Sequence, residues 1–204
     1  MVLDRLNAEF DEGQLSIILG KSGSGKSTIL NLISGIDTPD QGQILIGENN
    51  VGNMSDYERT LFRRHHIGFV FQFFNLIPTL TVLENVMLIQ ELDGAGTREN
   101  REKALQILDQ VGLADRREAT PENLSGGEQQ RTAIARALTH DPSIILADEP
   151  TGNLDHETGS AVMDLMLKLS RDLGKTLIMA THSTDITNVA DAVFGIQDGK
   201  MRQF

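Results

Sequence analysis

"GKSGSGKST", Gly20 to Thr28, holds three glycines and two lysines in nine residues. It lies where the apolar run "QLSIIL" (14–19) ends and the helical pattern "KSTILNLISGI" (26–36) begins. Gly20, Gly25, Lys26 and Ser27 fit G-x-x-x-x-G-K-[ST], in the strand-then-helix setting that the motif requires. Glycines let successive backbone N–H groups turn inward on an anion, and a helix N-terminus adds free donors of its own. Lys26 would reach the β- and γ-phosphates of a nucleotide, and the Ser27 hydroxyl would hold Mg²⁺. A plain Gly/Ser turn is the competing reading, but a full match in this setting rarely arises by chance. The stretch binds a nucleotide; it does not say which chemistry follows.

Working outward, short apolar runs recur along the chain. "LNAEF" (6–10) alternates, with Leu6, Ala8 and Phe10 on one side, as a half-buried strand would. "QILI" (43–46), "IGFVF" (67–71), "SIILAD" (143–148), "TLIMAT" (176–181) and "AVFGIQ" (192–197) are short apolar runs, several of them nearly unbroken, as in sheet strands covered on both faces. Helical patterns lie between them. Ile29, Ile33 and Ile36 share one face, as do Ala104, Ile107, Leu108 and Val111, and again Met163, Met166, Leu167 and Leu173. Strands alternating with helices predict an α/β fold with a mostly parallel sheet. The stretch from about 75 to 140 offers no strand and reads as a helical insertion; "ELDGAGTREN" (91–100) is a loose polar loop.

"IILADEP" delivers Asp148 and Glu149 just as an apolar strand runs out. Adjacent carboxylates repel each other unless a cation or a proton-accepting task is near. Asp148 would bind Mg²⁺, mostly through water, and Glu149 would polarise the water that attacks a γ-phosphate. A solvated turn ending at Pro150 is the alternative, and it loses force beside the phosphate cradle. "TLIMATH" ends another strand with His182, placed to hydrogen-bond a γ-phosphate oxygen.

"LSGGEQQR", Leu124 to Arg131, supplies a second helix N-terminus suited to an anion, with Ser125 as its cap. Ala133, Ile134, Ala137 and Leu138 form its buried side. The segment resembles the signature motif of the ABC ATPases, and the resemblance spans essentially the whole chain in order. Gly20, Lys21, Ser22, Gly23, Ser24, Gly25, Lys26, Ser27 and Thr28 match the Walker A loop. Gln72 in "FVFQ" matches the Q-loop glutamine, Asp148 and Glu149 the Walker B pair, "NLD" (153–155) the D-loop through Asp155, and His182 the H-loop. The resemblance implies Glu149, His182 and Lys26 as catalytic residues, with Ser27, Gln72 and Asp148 around Mg²⁺. It also implies that Ser125, Gly126, Gly127 and Glu128 close on ATP held by a second subunit.

The implied fold is α/β: a P-loop NTPase core, a small antiparallel β subdomain and a helical subdomain inserted at about 75–140, in one domain spanning 1–204. The implied function is that of the ATP-binding subunit of an ABC transporter, an ATPase that dimerises around ATP and drives a membrane-spanning permease. "ADEPTGNLD" and the stretch after Gln72 look like the macrolide-export and lipoprotein-release group, to which a cell-division ATPase that moves no substrate is also similar. The chain would then sit on the cytoplasmic side of the inner membrane, held by its permease.

Three departures from that group stand out. Lys21 replaces the usual proline. Phe73 replaces a small or polar residue, either as a core side chain or as an exposed aromatic that seats a membrane subunit. The first strand and its adenine-stacking aromatic are expected upstream of Met1 and are missing here, because Phe10 alternates with core positions.

The composition fits this reading. A net charge of −11 argues against a nucleic-acid partner, and the absence of cysteine excludes disulfides and thiolate metal sites. No apolar run reaches membrane-spanning length, so direct membrane insertion is not expected. A P-loop kinase would not need "LSGGEQQR". A DNA-repair ABC ATPase would carry a long heptad insertion and basic surfaces. A translation-factor ABC protein would carry two cassettes. An inactive regulator would not keep every hydrolysis residue.

Overall fold

The computed structural model describes residues 3–94, 97–197 and 199–204. In chain order the elements are β1 (Leu15–Leu19), α1 (Lys26–Ile33), β2 (Leu45–Ile46), β3 (Asn49–Asn50), α2 (Asp56–His66) and β4 (Ile67–Val70). There follow α3 (Val82–Leu92), α4 (Arg98–Gln110), α5 (Gly126–Leu138), β5 (Ile144–Asp148), α6 (His156–Asp172), β6 (Thr176–Thr181), β7 (Ala192–Gln197) and β8 (Lys200–Gln203). The main sheet runs β4-β5-β6-β1-β7-β8, parallel throughout except for the β7–β8 hairpin. A separate antiparallel pair, β2–β3, joins Leu45 to Asn50 and Ile46 to Asn49.

The nearly unbroken apolar strands have the expected cause. Successive side chains of a strand point to opposite faces, and both faces here are covered. Ile17 and Ile18, both fully buried, enter different clusters on the two sides of the sheet. Ile145 and Ala147 face one cluster while Leu146 faces the other; Leu177 and Met179 against Ile178 and Ala180 repeat the division. Burying a side chain of this size contributes about 1.5–3 kcal/mol, so two covered faces favour this register strongly. One of the clusters continues into Val82, Val86, Ala104, Leu108 and Ile134 of α3, α4 and α5, which fill the strand-free stretch.

The helices after α1 start on polar caps. Ser55, Thr81 and Ser125 each accept a hydrogen bond from the backbone N–H three residues on, and a glutamate there reaches back to the cap N–H. Each box satisfies two donors that the helix leaves open.

Several expectations need correction. "LNAEF" is not a strand: Leu6, Ala8 and Phe10 are half-buried and Asn7 and Glu9 exposed, as alternation requires, but no ladder holds the backbone. Phe10 packs edge-on against Phe194 at 5.0 Å, so side-chain burial alone explains the pattern. Ile36 is 46% exposed, because α1 ends at Ile33 and Gly35 turns the chain with φ +67°. Leu173 lies just beyond α6 and is likewise exposed. The polar loop at 91–100 shrinks to the junction between Leu92 and Arg98, with Ala95 and Gly96 outside the described residues. β8 was not anticipated; its "KMRQ" carries little apolar signal, and pairing with β7 defines it.

Candidate nucleotide site

Gly20, Glu149 and His182 leave the sheet at the C-terminal ends of β1, β5 and β6, which lie side by side. Crevices at this edge of an open parallel sheet are the usual ligand positions. Register carries the placement: Asp148 pairs with Ala180 and Leu19 with Thr181, so the loops that follow emerge at one level.

The cradle curls around Lys26. Its Nζ donates to the carbonyls of Gly20 (2.8 Å) and Lys21 (3.3 Å), while Ser24 N–H donates to Lys21 O at 3.1 Å. Gly25 has φ +102° and opens α1 without a side-chain cap, leaving the N–H groups of the first turn for another acceptor. A Cβ on Gly20 would fall 2.4 Å from Ser24 Oγ, and that hydroxyl is buried without a hydrogen-bond partner. A tight ring of backbone with an unpartnered buried donor fits a phosphate group. Ser27, exposed on the first turn of α1, and Asp148, half-buried at the end of β5, offer hard oxygen donors of the kind Mg²⁺ takes. Among the described residues no three His, Cys, Asp or Glu side chains gather as a metal site, so a Mg²⁺ here would complete its shell from water and phosphate.

Lys26 and His182 meet through one carboxylate. Glu149 Oε1 lies 3.3 Å from Lys26 Nζ, and Oε2 lies 2.9 Å from His182 Nδ1 while accepting the His182 N–H at 3.3 Å. Lys26 and Glu149 are 7% and 15% exposed, so their pairing is sheltered from solvent. Glu149 has φ +45°, held by its N–H donating to Ala180 O. A non-glycine residue there costs about 1–2 kcal/mol, a strain of the sort stored at functional positions. His182 therefore contacts Glu149 directly, which the sequence did not predict.

Gln72 turns to the D-loop. Its Nε2 donates to Asn153 Oδ1 (3.2 Å) and Asn153 Nδ2 donates to the Gln72 carbonyl (3.0 Å). Asp155 caps α6 by accepting from Thr158 N–H, a bond that holds its carboxyl below the usual range. The cap bonds from Ser125 likewise lower Glu128, which Arg116 contacts at 3.1 Å. Among the described residues no hydrogen bond or ion pair joins Ser125, Gly126, Gly127 or Glu128 to the cradle within this chain. The glycines of that turn also answer to packing: a Cβ on Gly127 would sit 2.6 Å from Thr158 Cγ2 and one on Gly126 3.2 Å from Leu154.

Sequence reasoning missed Gln130 and Arg136 of α5, both buried. Arg136 donates to the carbonyls of Asn75 (2.6 Å) and Phe74 (2.9 Å), and burial lowers its pKa. Their only trace was a polar residue inside an otherwise apolar helix face.

The ABC transporter family matches residues 3–152. The chain is 55% identical over 200 residues to an uncharacterised ABC transporter ATP-binding protein of Mycobacterium tuberculosis, covering 98% of this chain and 81% of that one. It is 42% identical over 202 residues to the lipoprotein-releasing system ATP-binding protein LolD of Saccharophagus degradans, covering 99% and 89%. The structure matches the dimeric bacterial ABC transporter cassette MJ0796 with a TM-score of 0.89 at 43% identity, over 100% of this chain and 90% of that one. A post-hydrolysis dimer of that cassette with ADP and Pi matches equally well.

Proposed function

The chain belongs to the ABC transporter family, as an ATP-binding subunit that hydrolyses ATP, and on that premise we propose how its residues divide the work and which permease it serves. Lys26, held by two cradle carbonyls and Glu149, exchanges the carboxylate for the β- and γ-phosphates as ATP enters. Glu149, released from Lys26 but still held by His182, accepts a proton from the water that attacks the γ-phosphorus. A P–O bond forms as the bond to the β-phosphate oxygen breaks, and Lys26 stabilises the charge that develops on the leaving oxygens. His182 positions Glu149 through Nδ1 and the backbone N–H. Ser27, Asp148 and Gln72 would hold Mg²⁺, which would supply neutralisation of phosphate charge.

The single observation that carries this reading is the continuous contact Lys26–Glu149–His182 at the mouth of a glycine cradle. Among the described residues Ser125 to Glu128 make no hydrogen bond or ion pair with that cradle, which supports their closing on ATP of a second copy, with Asp155 at the same junction. The cassette is one unit over 1–204 with a helical subdomain at about 75–140. Its permease is of the lipoprotein-releasing type, supported by the identity to LolD, and it holds the chain on the cytoplasmic face of the inner membrane. No helix among the described residues is long and apolar enough to cross a membrane.

Size exclusion of Glu149→Gln tests the assembly: a dimer in saturating Mg-ATP and a monomer without nucleotide are expected. A monomer in both would refute the sandwich. Mixing Ser125→Arg with Lys26→Ala chains should then leave one composite site intact in the mixed dimer.

A further inference from the structure

Gln130 is fully buried in α5, five residues beyond Ser125. Its Nε2 donates to Pro150 O at 2.5 Å and to Phe71 O at 3.4 Å. Pro150 directly follows Glu149, and Phe71 directly precedes Gln72. One amide thus ties the signature helix to the backbone on which two other site residues are mounted. The attachment is reinforced on both sides: Gln72 and Asn153 exchange hydrogen bonds, and Arg136, further along α5, grips the carbonyls of Phe74 and Asn75. Meanwhile Gln130 Oε1 is buried with no hydrogen-bond partner. A buried amide oxygen left open costs about 1–3 kcal/mol, so apolar packing alone would select leucine or methionine here. The amide is retained for its donors.

We infer that Gln130 is a positioning residue for hydrolysis: it transmits the position of the signature helix to the turn that carries Glu149 in the same subunit. Ser125, at the head of that helix, faces the nucleotide of the second copy; Gln130, about 7.5 Å along the axis at 1.5 Å per residue, holds Pro150. Arrival of ATP at Ser125 then bears on the Glu149 turn through a rigid helix and one short hydrogen bond. The left-handed backbone of Glu149 makes that turn sensitive, since it must be held from outside to persist. The inference rests on the reading of Glu149 as the base.

The test is steady-state ATP hydrolysis and fluorescent-ADP binding by the full chain carrying Gln130→Leu, Gln130→Glu or Glu149→Gln. Gln130→Leu keeps the volume and removes the donors; kcat should fall about tenfold or more while KM and ADP affinity stay within about threefold. In Gln130→Glu the introduced carboxyl is buried, so its neutral form persists to raised pH and can donate to Pro150 O. Relative to the unmodified protein, kcat of this variant should hold up at about pH 6 and decline toward pH 8. That dependence distinguishes a donated hydrogen bond from simple packing, and it reports even where Gln130→Leu does not fold. An unchanged kcat in folded Gln130→Leu, or a pH profile of Gln130→Glu parallel to the unmodified one, overturns the inference. If Glu149→Gln hydrolyses ATP normally, it is the assignment of the base that fails instead.

Discussion

Lys26 Nζ stands 3.3 Å from Glu149 Oε1 in a pocket where neither side chain is more than 15% exposed. The pair closes the cradle on itself, so incoming phosphates must displace a carboxylate from the lysine that receives them. Lys26→Ala should lower ATP hydrolysis by more than about a hundredfold, the scale for losing a group aimed at developing charge. Glu149→Gln should stop turnover but bind ADP at least as tightly as the unmodified chain, because Lys26 no longer leaves an anionic partner. Weaker ADP binding by Glu149→Gln, measured by titration calorimetry, would contradict this picture of the cradle.

Gly127 lies where α5 meets the start of α6. An added Cβ would fall 2.6 Å from Thr158 Cγ2, too close without a shift. Gly127→Ala should therefore destabilise the fold by about 1–3 kcal/mol in urea denaturation. Thr158→Ser removes the offending methyl, so the double variant should recover most of that loss. No recovery would place the strain elsewhere.

His140 is half-buried beside β4, with Nε2 at 3.2 Å from Ile67 O. Burial is the main cause that lowers its pKa; the Ile67 and Arg136 carbonyls and Asp141 oppose it, and His65 adds to it. A folded-state pKa below the unfolded one means the unfolded chain binds the proton first. The contribution of neutral His140 is thus present above the unfolded value near 6.5 and is lost as pH falls below it. His140→Asn should flatten the decline in melting temperature just below pH 6.5. A variant with the same slope as the parent would assign that decline to other groups.

Phe73 is 71% exposed and lines an open groove of about 430 Å³ with Phe74, Leu76, Pro121 and Gln129. The choice between core and surface is settled: it is not core. Phe73→Ala should leave folding and basal ATPase activity unchanged while weakening co-purification with the permease from membranes by about tenfold, the scale of a buried aromatic anchor. Equal recovery of the permease would remove Phe73 from the docking surface.

Much of this molecule could be read in the chain because local rules governed it. A glycine cradle between strand and helix, carboxylates where an apolar run ends and a serine three residues before a glutamate are all decided within a few residues. Cover on both sheet faces follows equally from unbroken apolar runs such as "SIILAD". Other features depended on what the sequence brings together from far away. "LNAEF" alternates as a strand does, yet among the described residues no neighbouring strand holds it, and pairing is a property of two segments. Gln130 is polar, so periodicity could not mark it as buried; only folding set Phe71 and Pro150 around its amide. Likewise His182 and Glu149, thirty-three residues apart, come within 2.9 Å because β5 and β6 are adjacent in one register. The sequence determined the parts of the site through local spacing and polarity. Tertiary structure decided which part touches which, because hydrogen bonds and ion pairs act only over a few ångströms in space, whatever the separation along the chain.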